Sequence, residues 1–171
     1  MVTLRLPVPP IVHAPVFVAH IVKVWKDAKT SAEQMGLVLG DILKNINDEE
    51  IILCGHSLGA RVIYSALIQI SQQDPKINKK IIKQVHLLGG AIKCNSDNWN
   101  CASRCVEGKI YNYYSINDDI LKYLYQILEI NDPIGRNPIR AKCVVNKNVS
   151  QYVSGHKEYI SNFENFVNTK T

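Results

Sequence analysis

The sequence predicts an α/β fold, a parallel sheet with flanking helices. Three observations predict it. Short apolar runs alternate with stretches of helical periodicity, the order that builds a parallel sheet. One run, Ile51-Ile52-Leu53-Cys54, is apolar throughout, as a strand buried on both faces must be. That run leads directly into Gly55-His56-Ser57-Leu58-Gly59 and then into a helical pattern. The chain has 171 residues, the size of one domain. Its 46% hydrophobic content suits a packed globule and argues against disorder. We therefore expect one domain over residues 1–171, with residues 1–16 Pro-rich and irregular.

The elements follow in order. Met1–Leu6 alternates weakly and is a candidate short strand. From about Phe17 to Leu43 the apolar residues Val24, Ala28, Ala32, Met35, Val38, Leu39 and Ile42 recur at helical spacing. Gly36 and Gly40 weaken that helix but allow a close neighbour. Asn45–Glu50 is a polar turn, and Ile51–Cys54 is the first core strand. A helix is expected over Leu58–Gln72, with Ala60, Val62, Ile63, Ala66, Leu67 and Ile70 forming its buried stripe. Ile82–Leu88 is the next strand, Gly89–Glu107 a long loop, and Lys109–Tyr114 the third strand. Asp118–Leu128 reads as a helix, Ala141–Val145 as a fourth strand, and His156–Val167 as a final helix. In such sheets ligands bind beyond the carboxyl ends of the strands. Ser57, Asp118 and His156 all fall there.

Charge and cysteines narrow the classes. The net charge is +5, which favours anionic surfaces such as phospholipid headgroups. The basic residues are scattered, with Lys79, Lys80 and Lys83 the densest group, so nucleic-acid binding is not expected. No run approaches the roughly 18 apolar residues needed to span a bilayer. The Pro-rich start does not read as a secretion signal. Five cysteines, Cys54, Cys94, Cys101, Cys105 and Cys143, make a closed disulfide set unexpected. Free thiols are the expected state, with a disulfide in the Cys94–Cys105 loop as the alternative. The cysteines lack the paired spacing of a metal site, and no cofactor is expected.

Gly-x-Ser-x-Gly between an apolar strand and a helix is the pattern of a nucleophile elbow. The turn is so tight that the serine takes a strained backbone conformation, and Gly55 and Gly59 are expected to leave space where side chains would collide. The serine hydroxyl then faces the cleft at a helix N-terminus. The backbone N–H of Leu58 points the same way and is the expected oxyanion donor. A serine hydroxyl needs a base, and such elbows order their partners as Ser, then Asp or Glu, then His. Of His13, His20, His56, His86 and His156, only His156 follows the last strand. His56 flanks the serine inside the elbow, and His86 is expected to pack within its strand. The acid must lie between, at a strand end. Asp118 and Asp119 close the third strand, where either could also cap the following helix, and Asp132 lies beyond it.

Five stretches together resemble the α/β-hydrolase family that includes transmembrane and coiled-coil domain-containing protein 4. They are Trp25 with Ala32-Glu33-Gln34-Met35-Gly36; Gly55 through Tyr64; Leu87-Leu88-Gly89-Gly90-Ala91 with Trp99; Asn112-Tyr113-Tyr114-Ser115 through Asp118 and Leu121; and Val153-Ser154-Gly155-His156 with Tyr159. The resemblance covers most of the chain. It implies a catalytic triad of Ser57, Asp118 and His156, the Asn117-Asp118 pair matching the family's Asn-Asp. It also implies a lipase-like or esterase activity, often at membranes. Against the family pattern, the sheet before the first long helix is shortened, so the expected fold is a reduced α/β-hydrolase, the second half of the usual sheet. The loop that gives the second oxyanion N–H belongs to the shortened part.

The expected function is ester hydrolysis by a Ser-Asp-His triad, on acyl esters or lipids. The alternative is a catalytically impaired relative, serving as a binding module or as a subunit of a larger assembly. The expected location is intracellular, with attachment to a membrane surface as an option. A protein partner, or a second copy, is expected to cover the exposed edge of the elbow strand.

Overall fold

The computed structural model describes residues 14–46, 50–73, 82–94, 98–129 and 131–167. The expected strand Met1–Leu6 lies outside them. Helix α1 spans Ala14–Asn45 and is followed by β1 (Ile51–His56), α2 (Leu58–Gln73) and β2 (Ile82–Leu88). Then come α3 (Trp99–Ala102), a 3-10 turn at Ser103–Cys105, β3 (Ile110–Tyr114) and α4 (Asp119–Leu128). Strand β4 (Val144–Asn148) and the short helices α5 (Glu158–Ser161) and α6 (Phe163–Val167) complete the order. The strands form one sheet in the order β1-β2-β3-β4, every pair parallel, with Leu53 opposite Val85 and Ile110 opposite both Val85 and Val144. The fold class is therefore α/β, consistent with the reduced α/β-hydrolase arrangement expected.

The sheet is covered on both faces at β2 and β3, whereas Ile52 and Cys54 of β1 are exposed, so the run expected to be buried on both faces is covered on one only. Val85, Leu87, Ile110 and Val144 pack with Ile63, Leu67 and Ile70 of α2 and with Trp99 of α3. Leu88 and Tyr113 pack instead with Val153, Tyr159 and Phe166. Helix α1 lies against α2 at close range. A Cβ on Gly36 would stand 2.5 Å from Ser65 Cβ and 2.6 Å from the Val62 carbonyl oxygen, so only glycine fits. A smaller cluster of Trp25, Ala91, Leu121 and Tyr125 joins α1 to α4 and to the turn after β2. Glu129, at the end of α4, reinforces it. Its carboxylate accepts from Trp25 Nε1 at 3.3 Å and pairs with Lys93 at 3.0 Å and with Lys29.

Four boundaries depart from expectation. Helix α1 is already helical at Ala14, ahead of the expected Phe17, at the first of the described residues. The 89–107 connection is not a plain loop, since α3 forms there around Trp99, which packs against the Tyr64 ring at 4.6 Å between centroids. Strand β4 lies three residues beyond Ala141–Val145. The Val144 N–H donates to the Ala141 carbonyl, making a turn of the residues expected to start the strand. The final helix is split into α5 and α6 and starts after His156, not at it. Asn162 breaks it by donating its side-chain amide to the Glu158 carbonyl, competing with the helix ladder.

Candidate active site

The turn joining β1 to α2 holds the site's serine. Ser57 has φ of +57°, alone among the described non-glycine residues in the left-handed region. Its neighbours hold it there. Its N–H donates to the Leu88 carbonyl at 3.0 Å, and its carbonyl accepts from Ala91 at 3.0 Å and Ala60 at 3.2 Å. Gly55 is required for the turn, since a Cβ there would lie 2.7 Å from Gly59 backbone atoms and from Ile63 Cδ1. Gly59 meets open space instead, with nothing within 4 Å, so the expectation that both glycines relieve a collision holds for Gly55 alone.

Ser57, Asp118 and His156 are brought together. Ser57 Oγ lies 2.8 Å from His156 Nε2, and His156 Nδ1 lies 2.7 Å from Asp118 Oδ2. An ionised carboxylate only accepts, so Nδ1 carries the proton and Nε2 is free to accept from the serine hydroxyl. Asp118 is fully buried, and its two oxygens divide the work. Oδ1 accepts the Leu121 N–H at 3.0 Å, capping α4, while Oδ2 faces the imidazole. The cap thereby fixes the carboxylate's orientation. The other two candidates are placed elsewhere. Asp119 is exposed, 3.9 Å from Arg136, and Asp132 is exposed and accepts the Cys94 N–H through its backbone.

Two loops carry Asp118 and His156, and hydrogen bonds stitch them together. The Ser115 hydroxyl donates to the Val153 carbonyl at 2.7 Å, and the Ile116 N–H donates to Ser150 Oγ at 3.0 Å. The Asn117 amide donates to the Ser150 carbonyl at 3.0 Å. Arg136 Nη1 donates to the Asp118 carbonyl at 2.6 Å from a third loop. Sequence reading quoted Ser115 only within the stretch that carries the resemblance and passed over Ser150 and Arg136, whose one advance signal was the turn chemistry around Pro133-Ile134-Gly135 and Asn148-Val149-Ser150.

Aromatic groups close the site from behind. Gly89, at φ of +49°, lets Tyr159 approach, where a Cβ would stand 2.6 Å from the ring. The Tyr159 hydroxyl donates to the Gly135 carbonyl at 3.0 Å, and burial, then the Asp118 charge, raises its pKa. His56 lies beside His156, with ring centroids 4.6 Å apart. Burial, and then the neighbouring His156, lowers the His56 pKa. His86 is packed in its strand, with Nδ1 2.9 Å from the Tyr113 hydroxyl. His20 is exposed on α1, and His13 lies outside the described residues. The Leu58 N–H sits in the first turn of α2, where the helix offers no carbonyl to accept it. All five cysteines are free.

Fold and site define an α/β protein whose sheet presents, beyond its strand ends, a hydrogen-bonded Ser–His–Asp chain starting at a strained strand–helix turn. The chain belongs to the family described as a protein of unknown function (DUF726), which matches over residues 14–169. It is 31% identical over 141 residues, 79% of its length, to an uncharacterised membrane protein of Caenorhabditis elegans, covering 22% of that protein. It is 29% identical over 80% of its length to a transmembrane and coiled-coil domain-containing protein of Oryza sativa subsp. japonica, covering 21% of it. It is 30% identical over 79% of its length to a protein named probable lipase MIL1 from Saccharomyces cerevisiae, covering 13% of it. The chain thus spans about a fifth or less of the curated relatives it matches. No solved structure matches significantly. Some relatives are named membrane proteins, while no helix among the described residues of this chain is long and apolar enough to cross a membrane.

Proposed function

We propose that this chain carries the catalytic machinery of a serine ester hydrolase of the α/β-hydrolase family that includes transmembrane and coiled-coil domain-containing protein 4. Ser57 is the nucleophile, His156 the general base and acid, and Asp118 the group that orients His156. The observation that carries this reading is the Ser57–His156–Asp118 relay, with both links under 3 Å. The relative named a probable lipase supports acyl or lipid esters as the substrate class.

The chemistry follows from the geometry. Ser57 Oγ attacks the ester carbonyl while its proton passes to His156 Nε2. Asp118 stabilises the imidazolium that results. The Leu58 N–H donates to the oxyanion of the tetrahedral intermediate. Collapse expels the alcohol, which takes the proton from Nε2. Water then attacks the acyl-enzyme, with His156 again as base, and the acid departs. No cofactor enters any step.

A second reading, a non-catalytic binding module or assembly subunit, rests on one feature. β1 ends the described sheet, and beyond it would lie the strand and loop that give α/β-hydrolases their second oxyanion N–H. Hydrolysis of p-nitrophenyl butyrate separates the two. The enzyme reading expects turnover that falls at least about a thousandfold in Ser57→Ala. Wild-type protein no faster than buffer, or an unaffected Ser57→Ala variant, favours the module.

A further inference from the structure

Helix α4 should be polar on its outer face, as a surface helix usually is. Instead Ile120, Tyr123 and Ile127 are exposed there, at spacings of three and four residues that align them in one stripe. Facing them from α1 are Val18 and Ile21. With Leu124 between, these residues line a trench of about 430 Å³ that contains no charged side chain. The volume falls in the range of small-molecule pockets.

Two of the trench's lining residues, Ile120 and Leu124, connect it to the surroundings of the active site. Ile120 also lines a shallow depression that contains His156 and Gly155. Leu124 packs on the same apolar cluster as Leu58, the residue that follows the nucleophile. One end of the trench therefore adjoins the depression that holds His156, and Leu124 ties it to the cluster that includes Leu58. From Ile120 to Ile127 the helix rises about 10 Å, enough for an extended unbranched chain. We infer that this trench binds the acyl chain of the substrate and gives the enzyme a preference for long, unbranched acyl groups. The inference rests on the ester-hydrolase reading above. Each methylene moved from water into such a trench strengthens binding about fourfold.

Two measurements on the full chain test it. In the first, decanoate is titrated into Ser57→Ala protein by calorimetry, which needs no turnover. Binding is expected, weakened at least about tenfold by Ile127→Asp and by Val18→Asp from the opposite wall. Ile160→Asp, an equally exposed position on α5, should leave it within about twofold. In the second, kcat/KM is compared for p-nitrophenyl decanoate and acetate below micellar concentrations. Wild type should prefer the decanoate, and the ratio should fall about tenfold in Ile127→Asp and Val18→Asp. Equal effects of all three variants, no decanoate binding, or an unchanged ratio overturns the trench. So does a concentration-dependent dimer that Ile127→Asp dissolves, or vesicle binding that it abolishes, if the chain-length ratio stays put. Decanoate binding that both trench variants weaken, without any ester turnover, upholds the trench and sinks the hydrolase reading. Acetate turnover without chain preference does the reverse.

Discussion

Ser57 keeps its left-handed backbone because three hydrogen bonds, to Leu88, Ala91 and Ala60, hold the turn on all sides. That constraint was visible in the sequence, because a strand, a glycine-flanked serine and a helix in that order leave the chain little choice. The acid was less visible. Two adjacent aspartates close β3, and only the direction of one carboxylate separates them. Asp118 is selected because one of its oxygens is spent on capping α4, which aims the other at His156. Substitution follows this division. His156→Ala should cost nearly as much ester turnover as Ser57→Ala, since the residues act as a unit. Asp118→Asn should lower kcat by orders of magnitude, up to roughly 10⁴. Asp119→Asn, at an exposed position, should leave it within about twofold. A steady-state comparison of the three decides it, and a damaging Asp119→Asn with a silent Asp118→Asn would reverse the assignment.

Elements were legible in proportion to their burial. β2 lies where its apolar run put it, because both its faces are covered. β4 was misplaced by three residues because it ends the described sheet and carries Asn146-Lys147-Asn148, which no apolar pattern marks. Its Asn146 side chain instead accepts the Ile139 N–H and donates to the Ile139 carbonyl, pinning a neighbouring loop. The split after Ser161 was hidden for a similar reason. An asparagine's side-chain bonding is a local competition that periodicity does not register. At the elbow the two glycines look equivalent in sequence and are not. Gly55→Ala forces a Cβ against Gly59 and Ile63 and should lower stability by about 1–3 kcal/mol. Gly59→Ala, inside a helix with open space around it, should be neutral or stabilising by up to about 1 kcal/mol. Thermal melts of the pair distinguish steric need from mere motif membership.

Across the whole molecule, two surfaces and two histidines, His86 buried and His56 half-buried, set behaviour in solution. Among the described residues β1 is a terminal strand of the sheet, and its Ile52 is 58% exposed. Val24, Met35, Val38 and Ile42 form an exposed stripe on α1. An unpaired strand edge beside apolar surface invites association. We expect the isolated chain to associate at micromolar concentration, with Ile52→Lys reducing it. Sedimentation showing a monomer at all concentrations would contradict this. The histidines give stability a pH dependence. Burial lowers the pKa of both His56 and His86, with His156 and Lys147 respectively adding to it. The unfolded chain therefore binds protons that the folded chain refuses. Stability is complete above the unfolded value near 6.5 and declines as pH falls through it. Tm should drop between pH 7.5 and 5, and His86→Gln should flatten part of that slope. A Tm unchanged over that range would show that neither ring is held neutral.

The central claim is that Ser57 is an activated nucleophile. An alkyl fluorophosphonate tests it directly. The serine oxygen attacks phosphorus, fluoride leaves, and His156 takes the hydroxyl proton, so labelling reports the relay without requiring a natural substrate. Intact-mass measurement should show a single adduct, and peptide mapping should place it on Ser57. The adduct should vanish in Ser57→Ala and form orders of magnitude more slowly in His156→Ala. A folded wild-type chain that takes up no label, or one labelled equally well without Ser57, would contradict the account.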